Sequence, residues 1–125
     1  ALTEKITGEL LVRFNSRGGV DGIFGMADNQ ATGSIQAVES AGLKLGVADK
    51  GSVVVSSNCM KDGMINIKSG QQDGTATQIP TEEAETAAKK IAGHFNGEAM
   101  KKYEMVPVFG INKGNVDKFA AGCSY

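Results

Sequence analysis

Three short stretches gather side chains that could take hold of a neutral ligand. Ala27, Asp28, Asn29 and Gln30 follow the apolar run GVDGIFGM, Ser56, Ser57 and Asn58 follow SVVV, and Thr77 and Gln78 stand inside GTATQIP. Amides and hydroxyls both donate and accept hydrogen bonds, and a carboxylate accepts, so this set suits a ligand rich in adjacent hydroxyls. It does not suit bond cleavage. No nucleophile, base and orienting group come together along the chain. The one histidine, His94, lies mid-helix beside Ile91 and Phe95 without an evident partner, which makes it a surface or half-buried residue rather than a catalyst. The glycines of GIFGMADNQATG miss the spacing of a dinucleotide fingerprint, no phosphate-loop lysine follows, and Cys59 and Cys123 lack metal-ligand spacing. No cofactor, metal or catalytic residue is therefore assigned.

Each polar residue also has a plain structural reading. Asp28 reads first as a helix N-cap and second as a ligand group. Ser56 and Ser57 can simply open a loop. Asn58 can cap a helix beginning near Cys59, and its weight as a ligand group comes from coinciding with Gln78.

The elements that would carry these residues alternate between helix and strand. Leu2, Ile6, Leu10, Leu11 and Phe14 repeat at helical spacing over 2–17, and Gly18 and Gly19 stop that helix. Ala31, Ile35 and Val38 mark one face of a second helix, begun at Asp28 and ended at Gly42. CMKDGMINIKSG is a weaker helix with Gly63 inside it. TEEAETAAKKIAGHF is a stronger one, with acids in its first turn, lysines later, Thr81 as cap and Gly97 as terminator. Strands are expected near 21–27, 52–57, 74–79 and 105–111, with Pro107 favouring an edge position for the last. No hairpin signal joins any two of them. The fold class is thus α/β, a three-layer parallel sheet with helices on both faces and right-handed crossovers. In open sheets of this kind ligands bind outside the carboxyl ends of the strands, where Asp28, Ser57, Asn58 and Gln78 fall.

Composition narrows the class further. With 125 residues, 41% hydrophobic and 22% charged, the chain has the make-up of one globular domain. A formal net charge of −1 without a basic run offers nothing to nucleic acid or a membrane surface, and no apolar stretch is long enough to span a bilayer. The opening ALTEKITGELL carries acids and is not a signal peptide. Cys59 and Cys123 are either a disulfide in an oxidising compartment or two buried thiols.

The chain resembles the ribose- and galactose-binding type of periplasmic protein, type I. GVDGIFGMADNQATGSIQAVESAG is similar to the segment where a strand ends and a helix of the second lobe begins. VVVSSN stands where the family has a strand ending in an aromatic and an Asp. DGTATQIP resembles the strand ending in a hinge Gln, and MVPVFGINKGNVDKF the closing strand and tail of sugar-transport members. The four occur in order over nearly the whole chain. The resemblance implies a solute-binding protein, not an enzyme, feeding a sugar or polyol to an ABC transporter permease at the bacterial cell envelope, periplasmic or extracellular. Gln78 matches the hinge Gln, Asn58 takes the place of the Asp, and Asp28 keeps the acid of the family's Asn-Asp pair. Ala27 replaces the Asn of that pair and Ser57 replaces the aromatic, which leaves the ligand's identity open between a polyol and a monosaccharide.

Family topology further implies that residues 1–79 and 104–125 form a segment of the C-terminal lobe. Residues 80–103 would cross to pack on an N-terminal lobe that precedes residue 1. The effector-binding core of LacI-type repressors shares the fold and motifs and implies a cytoplasmic location. A stand-alone flavodoxin-like domain is the other alternative, although a phosphorelay receiver needs clustered acids and only Asp28 is available.

Overall fold

The computed structural model describes residues 2–125. Nine elements follow in order: α1 (Leu2–Asn15), β1 (Gly22–Phe24), α2 (Asp28–Ser40), β2 (Val53–Val55), α3 (Lys61–Ser69), β3 (Thr75–Ala76), α4 (Pro80–Phe95), β4 (Gly110–Ile111) and α5 (Val116–Phe119). The α/β class with a parallel sheet is what the structure shows. β1 and β2 pair in parallel with Gly22, Ile23 and Phe24 opposite Val53, Val54 and Val55. A parallel bridge from Val55 to Gly74 then sets the third strand beside the second.

The fourth strand departs from the expected direction. β4 runs antiparallel to β3, Thr75 opposite Ile111 and Ala76 opposite Gly110. The reason lies in α4. A parallel return requires the intervening helix to pack across the sheet, and of the α4 residues only Gly93 is buried. The chain instead leaves the carboxyl end of β3, runs through α4 and comes back at that same end. The Thr77 N–H donates to the Phe109 carbonyl at 2.9 Å, and the Phe109 N–H donates to Thr77 Oγ1 at 2.9 Å, pinning the two passes together. Pro107 lies in the irregular stretch before β4 rather than within it.

Three apolar clusters hold the sheet and helices. α1 docks on α2 through Leu11, Ala37 and Val38, with Val20, Ile23 and Leu45 against them. Val54 of β2 is buried under Ala31 and Ile35 of α2. Full burial of each such aliphatic side chain stabilises the fold by about 1.5–3 kcal/mol. Met64 and Ile67 of α3 meet Ile111, Val116, Cys59 and Cys123, and Ile79 and Phe119 close over them. The alternate residues of β2, Val53 and Val55, point to the other face of the sheet and are only half-buried.

Two caps differ from expectation. Ala27, not Asp28, is the N-cap of α2 and makes no side-chain capping bond. α4 begins one residue before Thr81, at Pro80, with Ile79 as N-cap, because a proline's fixed φ and missing N–H fit the first turn.

Candidate functional site

The carboxyl ends of β1, β2 and β3 come together, and their polar side chains divide into a rim and a floor. Asp28 belongs to the floor. It is the first residue of α2 and is completely buried, with its carboxylate directed across to the start of α3. Oδ1 accepts from the Ser56 hydroxyl and from Gln72 Nε2 at 2.9 Å, and Oδ2 accepts from the Met60 N–H at 2.6 Å. Three donors thus serve one carboxylate, and one of them is a backbone group that the first turn of α3 leaves without a helical partner. A Cβ at position 63 would overlap the Asp28 carboxyl group. That close approach explains a glycine inside α3.

Gln72 completes the floor. It is 1% exposed, and its Nε2 faces Asp28 Oδ1, Ser56 Oγ at 2.8 Å and the Gly74 carbonyl at 3.1 Å. The Asp28 carboxylate and the Gly74 carbonyl, neither of which can donate, fix which way the amide lies, since the reverse orientation would set its oxygen against both. The cost is that Oε1 is buried without a partner. Thr75, also buried, stands 3.4 Å from Ser56 through its hydroxyl.

Ser57, Asn58 and Gln78 form the rim. The Ser57 hydroxyl lies 2.6 Å from the Met26 carbonyl and 2.9 Å from Asn58 Oδ1, so it joins the end of β1 to the end of β2. Asn58 is half-buried and has a φ of 88°, in the left-handed region, where asparagine is among the least penalised side chains. Cys59 follows at a φ of 45°. The Gln78 side chain is exposed. The rim carries two amides and a hydroxyl and no charge. Of the four residues singled out from sequence, Ser57 and Asn58 touch, the backbone carbonyls of Asn58 and Gln78 meet at the Tyr125 hydroxyl, and Asp28 is buried.

A tail fastens this rim. Cys59 and Cys123 form a disulfide with Cα atoms 5.1 Å apart, which settles the choice between a bond and two thiols. The Lys61 N–H donates to the Tyr125 carbonyl at 3.1 Å. The Tyr125 hydroxyl is 2.5 Å from the Asn58 carbonyl and 2.6 Å from the Gln78 carbonyl. Burial of that hydroxyl, then the charges of Asp28 and Glu83, push the Tyr125 phenol above its ordinary range. Gln72 and Tyr125 were not found from the sequence. Gln72 sits in a polar turn, SGQQDG, where nothing in the local pattern marks a buried amide, and Tyr125 meets the rim through backbone carbonyls 47 and 67 residues away. Among the described residues no group of three or more His, Cys, Asp or Glu side chains is placed to hold a metal ion, and no helix is long and apolar enough to cross a membrane.

No protein-family model matches the chain, and no curated protein sequence matches it. Solved structures do. A periplasmic ribose ABC transporter protein from Conexibacter woesei superposes on 96% of the chain with a TM-score of 0.81 at 21% identity. An ABC transporter solute-binding protein from Bacillus halodurans with bound myo-inositol superposes on 96% with a TM-score of 0.77 at 25% identity. Another, from Agrobacterium vitis with bound alpha-D-tagatopyranose, superposes on 98% with a TM-score of 0.76 at 25% identity. The chain spans 38%, 39% and 40% of these three structures. Its fold is that of part of a lobe of a type I periplasmic binding protein. The similar structures are sugar-binding proteins of ABC transporters, carrying ligands that also include D-allose and D-fucose.

Proposed function

We propose that this chain belongs to the solute-binding component of an ABC transporter and contributes the second-lobe half of a cleft for a monosaccharide or polyol. The observation that carries the reading is the uncharged set Ser57, Asn58 and Gln78 at the carboxyl ends of adjacent strands, on a fold shared with sugar-binding proteins of ABC transporters. Gln78 is exposed and Asn58 is half-buried, so both have hydrogen-bonding capacity for hydroxyls. Asp28 acts indirectly, by setting the position of the rim. The protein binds and delivers; it does not transform its ligand. Export to the periplasm or the outer cell surface agrees with the Cys59–Cys123 disulfide, which persists in oxidising compartments, and disfavours the cytoplasmic repressor reading.

The remainder of the cleft comes from an N-terminal lobe, and residues 80–103 pack on it. Supporting this, α4 carries Ile91 and Phe95 at 55% and 83% exposed, and Met100 and Tyr103 beyond it are also open. Apolar side chains in one exposed run mark a surface meant to be covered. Closure of the two lobes would then bury the ligand.

The test is titration calorimetry of the intact protein with D-ribose, myo-inositol, D-allose, D-fucose and D-tagatose. Binding of at least one is expected. Gln78→Ala weakens it by about 10- to 150-fold, the effect of leaving one buried polar group unpaired. At position 58 the left-handed backbone makes Asn58→Gly the cleaner truncation, with a loss in the same range. A protein that binds none of the five, or variants that bind as wild type does, would put the ligand elsewhere.

A further inference from the structure

We infer that Tyr125 is a positioning residue for the ligand rim, its hydroxyl clasping Asn58 and Gln78 into one fixed spacing. The inference rests on the sugar-binding reading and adds to it a residue outside the rim. Four consecutive residues carry the second strand end into α3, and each is tied down: Asn58 by the Tyr125 hydroxyl, Cys59 by the disulfide to Cys123, Met60 by Asp28, and Lys61 by the Tyr125 carbonyl. Three of the four ties run to residues 123–125. Asn58 and Cys59 both hold left-handed φ values, which non-glycine residues keep only where the surroundings enforce them. The tail is the larger part of that enforcement.

The hydroxyl, not the ring, is the operative group. The Tyr125 residue is 47% exposed, so packing alone accounts poorly for its place. Its oxygen lies within hydrogen-bond distance of two carbonyls contributed by different strands, and its single proton serves either of them. Those carbonyls belong to the two residues whose side-chain amides face the ligand. The backbone spacing set by one phenol oxygen is therefore the spacing from which both amides reach. Gly122 supports the same arrangement: a Cβ there would stand 2.9 Å from Ile79 Cδ1, so the tail lies flat against the residue after Gln78.

The experiment compares wild type, Tyr125→Phe and Tyr125→Ala in the intact protein. Two readouts are taken: the backbone amide NMR signals of Cys59 and Ile79, which follow the two clasped carbonyls, and calorimetric affinity for D-ribose and myo-inositol. Tyr125→Phe is expected to shift both amide signals and to weaken the bound sugar about three- to tenfold, the effect of one lost hydrogen bond. Tyr125→Ala is expected to weaken it no more than twofold further. Unmoved Cys59 and Ile79 signals in Tyr125→Phe would overturn the clasp. So would wild-type affinity in Tyr125→Phe beside a loss in Tyr125→Ala, because the ring would then be what matters. If wild type binds neither sugar, the amide signals still decide the clasp, and it is the choice of ligand that fails.

Discussion

Replacing Asp28 with asparagine separates a supporting role from a ligand-binding one at a position where the sequence allows both. The carboxylate accepts three hydrogen bonds, two on Oδ1 and one on Oδ2. An asparagine offers one oxygen and one amino group. In its better orientation the oxygen keeps Ser56 and Gln72, and the amino group confronts the Met60 N–H, donor against donor. One hydrogen bond to a charged acceptor is lost, at about 1.5–3 kcal/mol, and a buried donor is left unpaired, at about 1–3 kcal/mol. Some relaxation at the mouth of α3 will recover part of this, so a net destabilisation of about 3 kcal/mol is the reasoned figure. Urea unfolding followed by far-UV circular dichroism measures it. With a slope of about 1–3 kcal/mol per molar, the midpoint should fall by roughly 1–3 M. A midpoint unchanged in Asp28→Asn, together with lost sugar binding, would refute the argument and return Asp28 to the rim as a direct ligand contact.

Gly63→Ala should destabilise by about 1–3 kcal/mol, since its Cβ must displace the Asp28 carboxylate; the same urea melts check it, and combination with Asp28→Ala should cost less than the sum of the two. Reducing the disulfide, or Cys123→Ser, opens a loop spanning 64 residues and should lower stability by about 4 kcal/mol on the chain-entropy estimate, read as a difference between melts with and without a thiol reductant. The raised Tyr125 phenol gives a pH signature. A group whose folded pKa exceeds its unfolded value contributes stability below the unfolded value, near 10, and loses it as pH rises through the folded value. The difference in absorbance titration between wild type and Tyr125→Phe should therefore show a phenol ionising later than an ordinary tyrosine, and an ordinary midpoint would contradict the clasped hydroxyl.

The parallel part of the fold was legible because local and global signals agree there. SVVVSS carries β-branched residues with no charge, and Ile35 and Val38 recur at helical spacing, so both elements fall where periodicity puts them. The fourth strand was less so. EMVPVFGI reads as a strand of seven or eight residues, yet only Gly110 and Ile111 pair, and they pair antiparallel. No pattern within 105–111 tells which end of the sheet the chain re-enters, because that is set by where α4 goes. Proximity at the strand ends was legible to the extent that Ser57 touches Asn58 and the Asn58 and Gln78 carbonyls meet at one hydroxyl. Asp28 was placed at the right strand end with the wrong depth, since a capping acid and a buried acid look alike until the partners 28 to 44 residues away are known. The same limit hid Gln72, whose environment is made by Asp28, Ser56 and Gly74 together.

The disulfide also changes how the molecule would carry tension. Cys59 and Cys123 close a covalent ring around α3, β3, α4, β4 and α5. A load applied between residues 2 and 125 travels through α1, β1, α2 and β2 to Cys59, crosses the sulfur bridge, and leaves along the last two residues. Everything inside the ring is mechanically bypassed. With the bridge intact the chain can be drawn out by only about 60 residues, roughly 200 Å at full extension, against about twice that once it is reduced. The whole out-and-back excursion through α4 thus lies inside the ring, off the covalent path that carries the load.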